Sequence, residues 1–541
     1  MNKRLSLPEI PDSERTPLMD VLLDIIETLS ETIQRQDEEM GCLKDEIAIL
    51  KGEKARPKFK PSGMAQAADS DLSSATGDAP KKRAGSEKRS KNQQLVIPEE
   101  QVIRPPNLAP GSRFNGYRDY VVQDLLLESC NTRYRRECWQ TPEGQWVCGE
   151  LPAEVNGHFG PQLQATVKYL HHHSRIPQPL LREMLLEWGI DISVGQIDAL
   201  LSGQHARFQS EKDELLRIGL EASPAITVDD TGHRHQGQNG YTTHIGNDDF
   251  AWFASTDHKN RLNFLTLLRA GERHRTITPE GLAYMQQQGL PQELIERLAT
   301  HAVQDFAHET AWQAHLAACG IDSERHQRIA SEGIQCGCLL QNDLWRRLVI
   351  VSDDAGQFNV PGLLHALCWV HGERLIHKLI PLNDRHRQAQ ALVRGQLWEL
   401  YRDLKQYATA PDAARKSALE ARFDAIFTQK TDFATLNSLL KRLYCNKVEL
   451  LQVLDHPQTP LHTNGSERDI REQVIRKKIS GGTRSDLGRQ CRDTFMSLKK
   501  TCRKLGISFW QYLLDRTKGA NTIPPLPELI RQRAVARAMS Y

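Results

Sequence analysis

Apolar residues near the start of the chain recur with a period of seven. The pattern follows Thr16-Pro17, a typical helix start with a capping Thr and Pro at the first helical position. Ile at the first heptad position and Leu at the fourth favour a parallel two-stranded coiled coil, in which one polar residue can fix the register. The first positions are Met19, Ile26, Ile33, Met40 and Ile47, and the fourth positions are Leu22, Leu29, Gln36, Leu43 and Leu50. We therefore predict a dimerisation helix over residues 16–53, with an amphipathic helix packed on its own chain as the alternative.

A segment of low hydropathy separates this helix from the next patterned region. Residues 54–104 are rich in Pro, Ser, Ala, Gly, Lys and Arg, and they are predicted to form a flexible basic linker because they can bury little apolar surface. Residues 105–156 are predicted to hold a small β unit, since apolar and polar residues alternate over 119–150 around a Thr-Pro-Glu-Gly turn.

Helical periodicity follows over residues 157–210, in stretches near 161–173, 177–188 and 194–202. The last two stretches are joined by a Gly-containing turn that ends in Ser193, a typical N-cap. This length and pattern match a helix-turn-helix DNA-binding region. Plain packing of three helices is the alternative, because the helix after Ser193 has no Arg or Lys with which to contact bases.

Two later apolar runs each lead into a pair of acids. Residues 225–228 precede Asp229-Asp230, and residues 348–352 precede Asp353-Asp354. Carboxylates at the ends of neighbouring strands can meet in space, and their oxygens suit hard divalent ions such as Mg²⁺ or Mn²⁺. Two more strands are predicted over 240–245 and 250–256, and a helix is predicted around 259–269.

A third candidate carboxylate, Glu467, opens a predicted helix after a Thr-Asn-Gly turn. Glu467, Arg471 and Lys478 share one face of that helix. An acid at the start of this face, with cations behind it, could hold a metal and position a phosphate. The alternative is an ordinary first-turn Glu that is favoured by the helix dipole.

The net charge of +2, from 70 Lys and Arg against 68 Asp and Glu, conceals segregated charge. Residues 1–50 carry −7, residues 51–104 carry +5, and the last 75 residues, from Glu467 onward, carry +10. Charge of one sign concentrated in one segment is typical of nucleic-acid binding. Two glycines, Gly481 and Gly482, permit close approach to a phosphate, and a solvated charged surface is the alternative. Five cations lie near these glycines and are candidates for DNA binding. They are Arg471, Lys477, Lys478, Arg484 and Arg489.

Cysteine usage and hydropathy indicate the compartment. The eleven cysteines are odd in number and form no Cys-x-x-Cys pair, which favours reduced thiols. Cys130, Cys138 and Cys148 lack metal-ligand spacing and are predicted to be buried small hydrophobes. The chain has neither an apolar run of membrane-spanning length nor a signal peptide at its start, so we expect a soluble cytoplasmic protein with no membrane contact.

Four motifs, in this order along the chain, resemble those of the insertion-sequence-66 type transposases, which are bacterial DDE transposases. They are residues 227–231 (TVDDT), 351–358 (VSDDAGQF), 368–371 (CWVH) and 464–468 (NGSER), and residues 45–52 and 476–505 extend the resemblance. The resemblance implies an α/β fold with a ribonuclease-H-like catalytic core over 220–515. Helical insertions would interrupt this core at about 270–345 and 381–460, and residues 516–541 would form a basic tail.

The resemblance also implies roles for individual residues. Asp229, Asp353 and Glu467 would be the catalytic acids and metal ligands, with the first Asp of each pair preferred over Asp230 and Asp354 because the family's acid directly follows the strand. Cys368 and His371 would form a Cys-x-x-His signature that either supports the site or packs beside the sheet, and Asn464 would also support the site. Relatives often carry a zinc module built from cysteine pairs, and this chain lacks such pairs.

The implied activity is transposition of an insertion sequence by metal-dependent phosphoryl transfer. Two Mg²⁺ (or Mn²⁺) ions about 3.5–4 Å apart would serve both the cutting of the element's ends by water and the attack of the freed 3′-OH on target DNA. The implied partners are terminal inverted repeats and target DNA, a homodimer or higher oligomer through residues 16–53, and small accessory transposition proteins, in the bacterial nucleoid. A nuclease that cuts without joining and a DNA-binding protein without catalysis are the alternatives.

Overall fold

The computed structural model describes residues 96–109, 111–118, 120–152 and 157–539, together with six residues near the N-terminus. Five of those six have a helical backbone, namely Met19, Leu22, Ile25, Ile26 and Leu29, and the sixth is Thr16. The other heptad positions and most of the linker lie outside the described residues, so the coiled coil and the linker stay predictions. The chain divides into two compact units, and the smaller one comprises the described residues within 71–149 together with 183–192.

Within the described residues of 71–149, the smaller unit has a short β-hairpin as its regular secondary structure. Strand β1 (Cys138–Gln140) pairs antiparallel with β2 (Trp146–Cys148) around a turn in which the Gly144 N–H donates to the Thr141 carbonyl at 2.9 Å. The strands predicted around this turn are confirmed for these two segments. The described residues over 120–137 have no regular secondary structure.

The prediction of reduced, buried cysteines is wrong for this hairpin. Cys138 lies directly opposite Cys148, with Cα atoms 4.0 Å apart, and the two form a disulfide. Cys138 is exposed, Cys148 is half-buried and the free thiol of Cys130 is exposed. Directly opposed residues of an antiparallel pair bring their Cβ atoms together, so the disulfide follows from a register that the cysteine count does not reveal.

Four helices follow the hairpin along the chain, and the first three confirm the predicted helical stretches. They are α1 (Pro161–His172), α2 (Gln178–Glu187), α3 (Val194–Ser202) and α4 (His205–Glu221). Ser193 caps α3 as predicted: its Oγ accepts the Gln196 N–H at 3.2 Å, and the Gln196 side chain accepts the Ser193 N–H at 2.8 Å. A role of these helices in DNA binding stays a prediction.

Three antiparallel strands begin the central sheet of the larger unit. They are β3 (Ala225–His235), β4 (Gln238–Gly246) and β5 (Ala251–Thr256). Strand β3 is longer than predicted, because its pairing with β4 continues from Thr227 to His235. Asp229 and Asp230 therefore lie inside a strand, and the expectation that they stand at a strand end is wrong for β3.

A mostly helical segment separates these strands from the rest of the sheet. It contains α5 (Arg261–Leu268), β6 (Arg275–Thr276), α6 (Pro279–Gln287), α7 (Gln292–Thr300), β7 (Asp305–Phe306), α8 (Glu309–Ala318) and α9 (Glu324–Leu340). Helix α5 confirms the helix predicted after β5. The segment has its own apolar cluster, in which Met285, Trp312 and Leu316 are fully buried.

Two parallel strands, β8 (Val349–Ser352) and β9 (Leu364–Leu367), complete the sheet in the order β5-β4-β3-β8-β9. Strand β8 pairs in parallel with β3, and the last paired residues are Thr227 and Val351. Asp229 and Asp353 each lie two residues beyond this pair. Because the strands are parallel, both acids follow the same end of the β3–β8 pairing.

A second helical segment follows β9 and has its own core. It contains α10 (Trp369–Lys378), α11 (Asp384–Thr409), α12 (Ala413–Phe427), α13 (Ala434–Cys445) and α14 (Lys447–Leu450). Trp369 is buried in this core, and its indole N–H donates to the Leu450 carbonyl at 2.8 Å. The remaining helices are α15 (Asn464–Ser480), α16 (Asp486–Lys504), α17 (Phe509–Lys518) and α18 (Leu526–Ala538).

Helix α16 covers the edge of the sheet. Side chains of Asp493, Ser497 and Thr501 accept the backbone N–H groups of alternate β5 residues, at 2.7, 2.9 and 3.1 Å. Four helical residues rise about 6 Å and two strand residues about 6.8 Å, so the two repeats nearly match. The helix thus supplies hydrogen-bond acceptors for N–H groups that the edge strand β5 would otherwise expose.

Buried ion pairs connect α15 with α16. Asp469 lies 3.0 Å from Lys504 Nζ and 3.4 Å from Lys500 Nζ, and Glu472 pairs with Lys499 and Lys500. Burial opposes ionisation of Asp469, but a hydrogen bond from His244 and the charges of Lys504 and Lys500 hold the pKa of its carboxyl well below its usual value. Much of the positive charge after Glu467 is thus internal, which corrects the reading of this whole segment as a DNA-facing surface.

Replacing Asp469 by Asn should destabilise the larger unit. The change removes the carboxylate that Lys504 binds and leaves the buried Lys500 with Glu472 alone, and breaking a buried pair in this way costs about 3–5 kcal/mol. We expect the midpoint of urea unfolding to fall accordingly. Asp486→Asn is the control, because Asp486 pairs with Arg489 on the surface and its loss should cost less than about 1 kcal/mol. Equal effects of the two changes would contradict the role given to Asp469.

Candidate active site

Asp229 is the first of the three predicted acids along the chain, and it is half-buried. It follows the buried Val228 on β3, and its Oδ1 accepts the backbone N–H of Asp230 at 2.8 Å. Burial, together with the charges of Asp353 and Glu467, raises the pKa of Asp229 to about 7, although the N–H of Asp230 and the His371 side chain lower it. The predicted acids after β8 and on α15 therefore both act electrostatically on the predicted acid of β3.

The second Asp of each pair is engaged with other side chains. The Asp230 carboxylate accepts hydrogen bonds from Thr243 Oγ1 and, at 3.0 Å, from Gln357 Nε2. Asp354 is exposed and forms an ion pair with Arg442 of α13. Asp353, by contrast, accepts a hydrogen bond from the backbone N–H of Ala355 at 3.3 Å. Asp230 and Asp354 are thus engaged with other side chains, whereas the pKa of Asp229 responds to the charge of Glu467.

Glu467 lies in the first turn of α15, next to a contact that attaches this helix to β3. Ser466 Oγ donates to Thr227 Oγ1 at 2.6 Å, and both side chains are buried. Thr227 immediately precedes Val228 and Asp229 on the strand. The contact therefore fixes the start of α15 beside the strand that carries the first acid. Asn464, the first residue of the helix, is also buried.

Cys368, His371 and Arg374 follow one another at three-residue spacing from the N-cap of α10. The buried Cys368 thiol accepts the Thr463 N–H at 3.4 Å, and His371 Nε2 lies 3.4 Å from Glu467 Oε1. The Cys-x-x-His motif thus combines the two roles that the sequence left open, because it packs beside the sheet and contacts the third acid.

The Cys368 and His371 side chains influence each other electrostatically. Burial opposes both charges. The His371 side chain nevertheless lowers the pKa of Cys368, and Cys368 together with Glu467 raises the pKa of His371 to about 9. A cationic His371 therefore faces Glu467 at neutral pH.

Arg374 is a site residue that the sequence reading missed. Both of its terminal nitrogens lie 3.5 Å from Glu467 Oε1, and its Nη1 lies 3.4 Å from His371 Nε2. The sequence feature that could have identified Arg374 is its position three residues after His371, which places the two residues near the same face of a helix. Its partner is 93 residues away in the chain, so the sequence alone does not reveal the contact.

The carboxylates match a hard divalent cation in type. Within the described part of the chain, however, no group of three His, Cys, Asp or Glu residues is arranged to hold a metal ion. Asp229 and Asp353 lie past the same edge of the β3–β8 pairing, and Glu467 is directed to His371 and Arg374. The donor set fits Mg²⁺ or Mn²⁺ by chemistry, and one oxygen of Glu467, the predicted third ligand, contacts the protein's own cations.

The predicted DNA-binding cations fall into two groups. Arg471, Lys478 and Arg484 are exposed and form no ion pair with any residue that the structure describes. Lys477 Nζ lies 3.4 Å from the Gly232 carbonyl, and Arg489 pairs with Asp257 and Asp486. The first group is free to bind phosphates, whereas the second is partly engaged within the chain.

The two glycines beside these cations serve the chain itself. Gly481 ends α15 with φ of 72°, and a Cβ on Gly482 would lie 2.5 Å from the Arg234 carbonyl. The Thr483 N–H donates to that same carbonyl at 3.0 Å. The close approach that Gly482 makes in the structure is therefore to the end of β3, whereas a Cβ on Gly481 would meet no atom within 4 Å.

Comparisons with known proteins agree with the motifs. The family described as "Transposase IS66 family" matches residues 306–491, which include Asp353 and Glu467 and begin after Asp229. A curated relative, the uncharacterized protein y4jO of Sinorhizobium fredii (strain NBRC 101917 / NGR234), is 42% identical over 323 residues. That alignment covers 59% of this chain and 100% of the relative. Over the described residues, we find no helix whose length and apolar character would let it span a membrane.

Replacing Cys368 by Ala should lower the pKa of His371 below about 9, because the neighbouring sulfur that stabilises the imidazolium is lost while burial remains. NMR titration of the His371 ring would measure the shift. Cys336→Ala is the matched control, since Cys336 is a buried free thiol whose Sγ contacts the Pro361 carbonyl. An unchanged His371 titration in Cys368→Ala would show that the sulfur does not hold the proton on the ring.

Proposed function

The chain belongs to the IS66 family of transposases, and from this premise we propose that it cuts at the ends of an insertion sequence and joins the 3′-OH ends to target DNA. Membership in this family implies DNA as the partner. The observation that best supports the proposed chemistry is the raised pKa of Asp229, to which Asp353 and Glu467 both contribute after burial. Acids from three separate elements act on one position, as a site for phosphoryl transfer requires.

We further propose that the core is ribonuclease-H-like. The support is the strand order β5-β4-β3-β8-β9, with three antiparallel strands followed by two parallel ones. The first acid lies on the central strand β3, the second follows its parallel neighbour β8, and the third opens α15. The two helical segments, after β5 and after β9, stand where the insertions were predicted.

Asp229, Asp353 and Glu467 would hold Mg²⁺ or Mn²⁺. When bound, the metal would activate the attacking oxygen and stabilise the leaving 3′ oxygen. The chain's own contribution is to fix the acids. The strand register positions Asp229 and Asp353, and the Ser466–Thr227 hydrogen bond attaches the helix of Glu467 to the same strand. Burial of Asp229 keeps this carboxyl from full hydration, which favours a cation as its partner.

DNA phosphates would contact the exposed cations of α15 and the loop that follows it. Arg471 and Lys478 are exposed on α15, whose first turn carries Glu467. Arg484 lies in the loop after this helix. This arrangement places phosphate-binding groups on the element that carries Glu467. A dimer formed through residues 16–53 would let two protomers hold both ends of one element, and small accessory proteins would complete the assembly.

Asp353→Asn should abolish both end cutting and strand transfer while leaving DNA binding largely intact, because the amide cannot replace a metal-binding carboxylate. The test is a Mg²⁺-dependent assay with labelled terminal inverted repeats and a plasmid target, alongside DNA binding by fluorescence anisotropy. Asp354→Asn is the matched control, since Asp354 is exposed and paired with Arg442. Retained strand transfer in Asp353→Asn would overturn the assignment. Cutting without joining by the unaltered protein would favour the nuclease alternative, and binding without cutting would favour the non-catalytic one.

Replacing Arg471 and Lys478 together by Ala should weaken DNA binding and flatten its salt dependence. Each lost phosphate contact lowers the slope of log K against log salt by about 0.9. Anisotropy titrations over a range of KCl concentrations would give the slopes. Lys430 and Lys518 are exposed cations in other elements, and their joint replacement by Ala is the control. An unchanged slope for the α15 variant would place the DNA elsewhere.

A further inference from the structure

Glu467 is held by two cations through a single oxygen. Both terminal nitrogens of Arg374 and the Nε2 of His371 lie within 3.5 Å of its Oε1. The side chains remain accessible, with 27% of Arg374, 30% of His371 and 34% of Glu467 exposed. Ligands that approach the site from solvent can therefore reach this ion pair.

A divalent cation on Glu467 would meet a charge of the same sign on Arg374. Because like charges at this range repel, the guanidinium and the metal compete for one carboxylate. The oxygen donors are of the right type for such a cation, and no group of three among the described residues is arranged around a metal. A DNA phosphate would offer Arg374 another partner, which the guanidinium fork suits well.

We propose that Arg374 is a positioning residue that couples metal loading to DNA binding. In the absence of DNA it holds Glu467 and weakens metal binding; a DNA phosphate draws the guanidinium away and releases Glu467 to the metal. The inference rests on the proposed function for the identity of the ligands. It requires that DNA and the metal favour each other's binding, by the same factor in either order.

The test measures Mn²⁺ affinity of the full chain by isothermal titration calorimetry, without DNA and with a terminal-repeat duplex. Without DNA, Arg374→Ala should bind Mn²⁺ more tightly than the unaltered protein, by about fivefold or more. The duplex should strengthen Mn²⁺ binding of the unaltered protein by a larger factor than that of the variant. Arg374→Lys keeps the charge without the fork and should lie between the two.

Lys378→Ala is the matched control, because it removes one exposed positive charge from the same helix without touching Glu467. It should bind Mn²⁺ like the unaltered protein. Unfolding curves establish that each variant is folded. If Arg374→Ala and Lys378→Ala bind Mn²⁺ equally, or if the duplex strengthens Mn²⁺ binding by the same factor with and without Arg374, the proposal is wrong. Neither measurement involves cutting or joining, so an inactive protein would overturn the proposed function without deciding this one.

Discussion

The buried ion pairs between α15 and α16 are the interaction on which the rest of the larger unit depends. Asp469 and Glu472 of α15 bind three lysines of α16, and the first turn of α15 carries Glu467. Taking such charges out of water is costly, so these pairs hold only in one arrangement of the two helices. That arrangement also determines where Glu467 stands, because α15 is a single continuous helix from the third acid to Ser480.

The second constraint is the spacing match between α16 and β5. The polar residues of α16 repeat every four positions, and the N–H groups that β5 directs out of the sheet edge repeat every two. Their hydrogen bonds fix α16 along that edge. Through the ion pairs, α15 is then fixed as well. The positive segment after Glu467 is therefore partly structural: Lys499, Lys500 and Lys504 neutralise acids of α15, whereas Arg471 and Arg484 are exposed to solvent. Net charge alone does not distinguish these two uses.

The sequence was sufficient for features that depend on local pattern. Apolar runs identified the strands that lead into Asp229 and Asp353, and helical spacing identified the helix of Glu467 and the cap at Ser193. It was insufficient where distant segments pair. The length of β3 depends on β4, the Cys138–Cys148 disulfide on hairpin register, and the Arg374–Glu467 pair on a contact between helices far apart in the chain. Such contacts produce no periodic pattern of residues along the chain, so they cannot be predicted from the sequence pattern.

The site illustrates why acids that the fold brings together need cations before any ligand arrives. Asp229 is half-buried and lies within the electrostatic influence of Asp353 and Glu467, a combination that destabilises its ionised form. His371 and Arg374 offset this repulsion from the side of Glu467, and Cys368 in turn keeps His371 charged. A metal ion and a DNA phosphate would therefore have to change this balance of charges together. If a metal ion alone took the place of Arg374 at Glu467, the guanidinium would be left without its carboxylate partner.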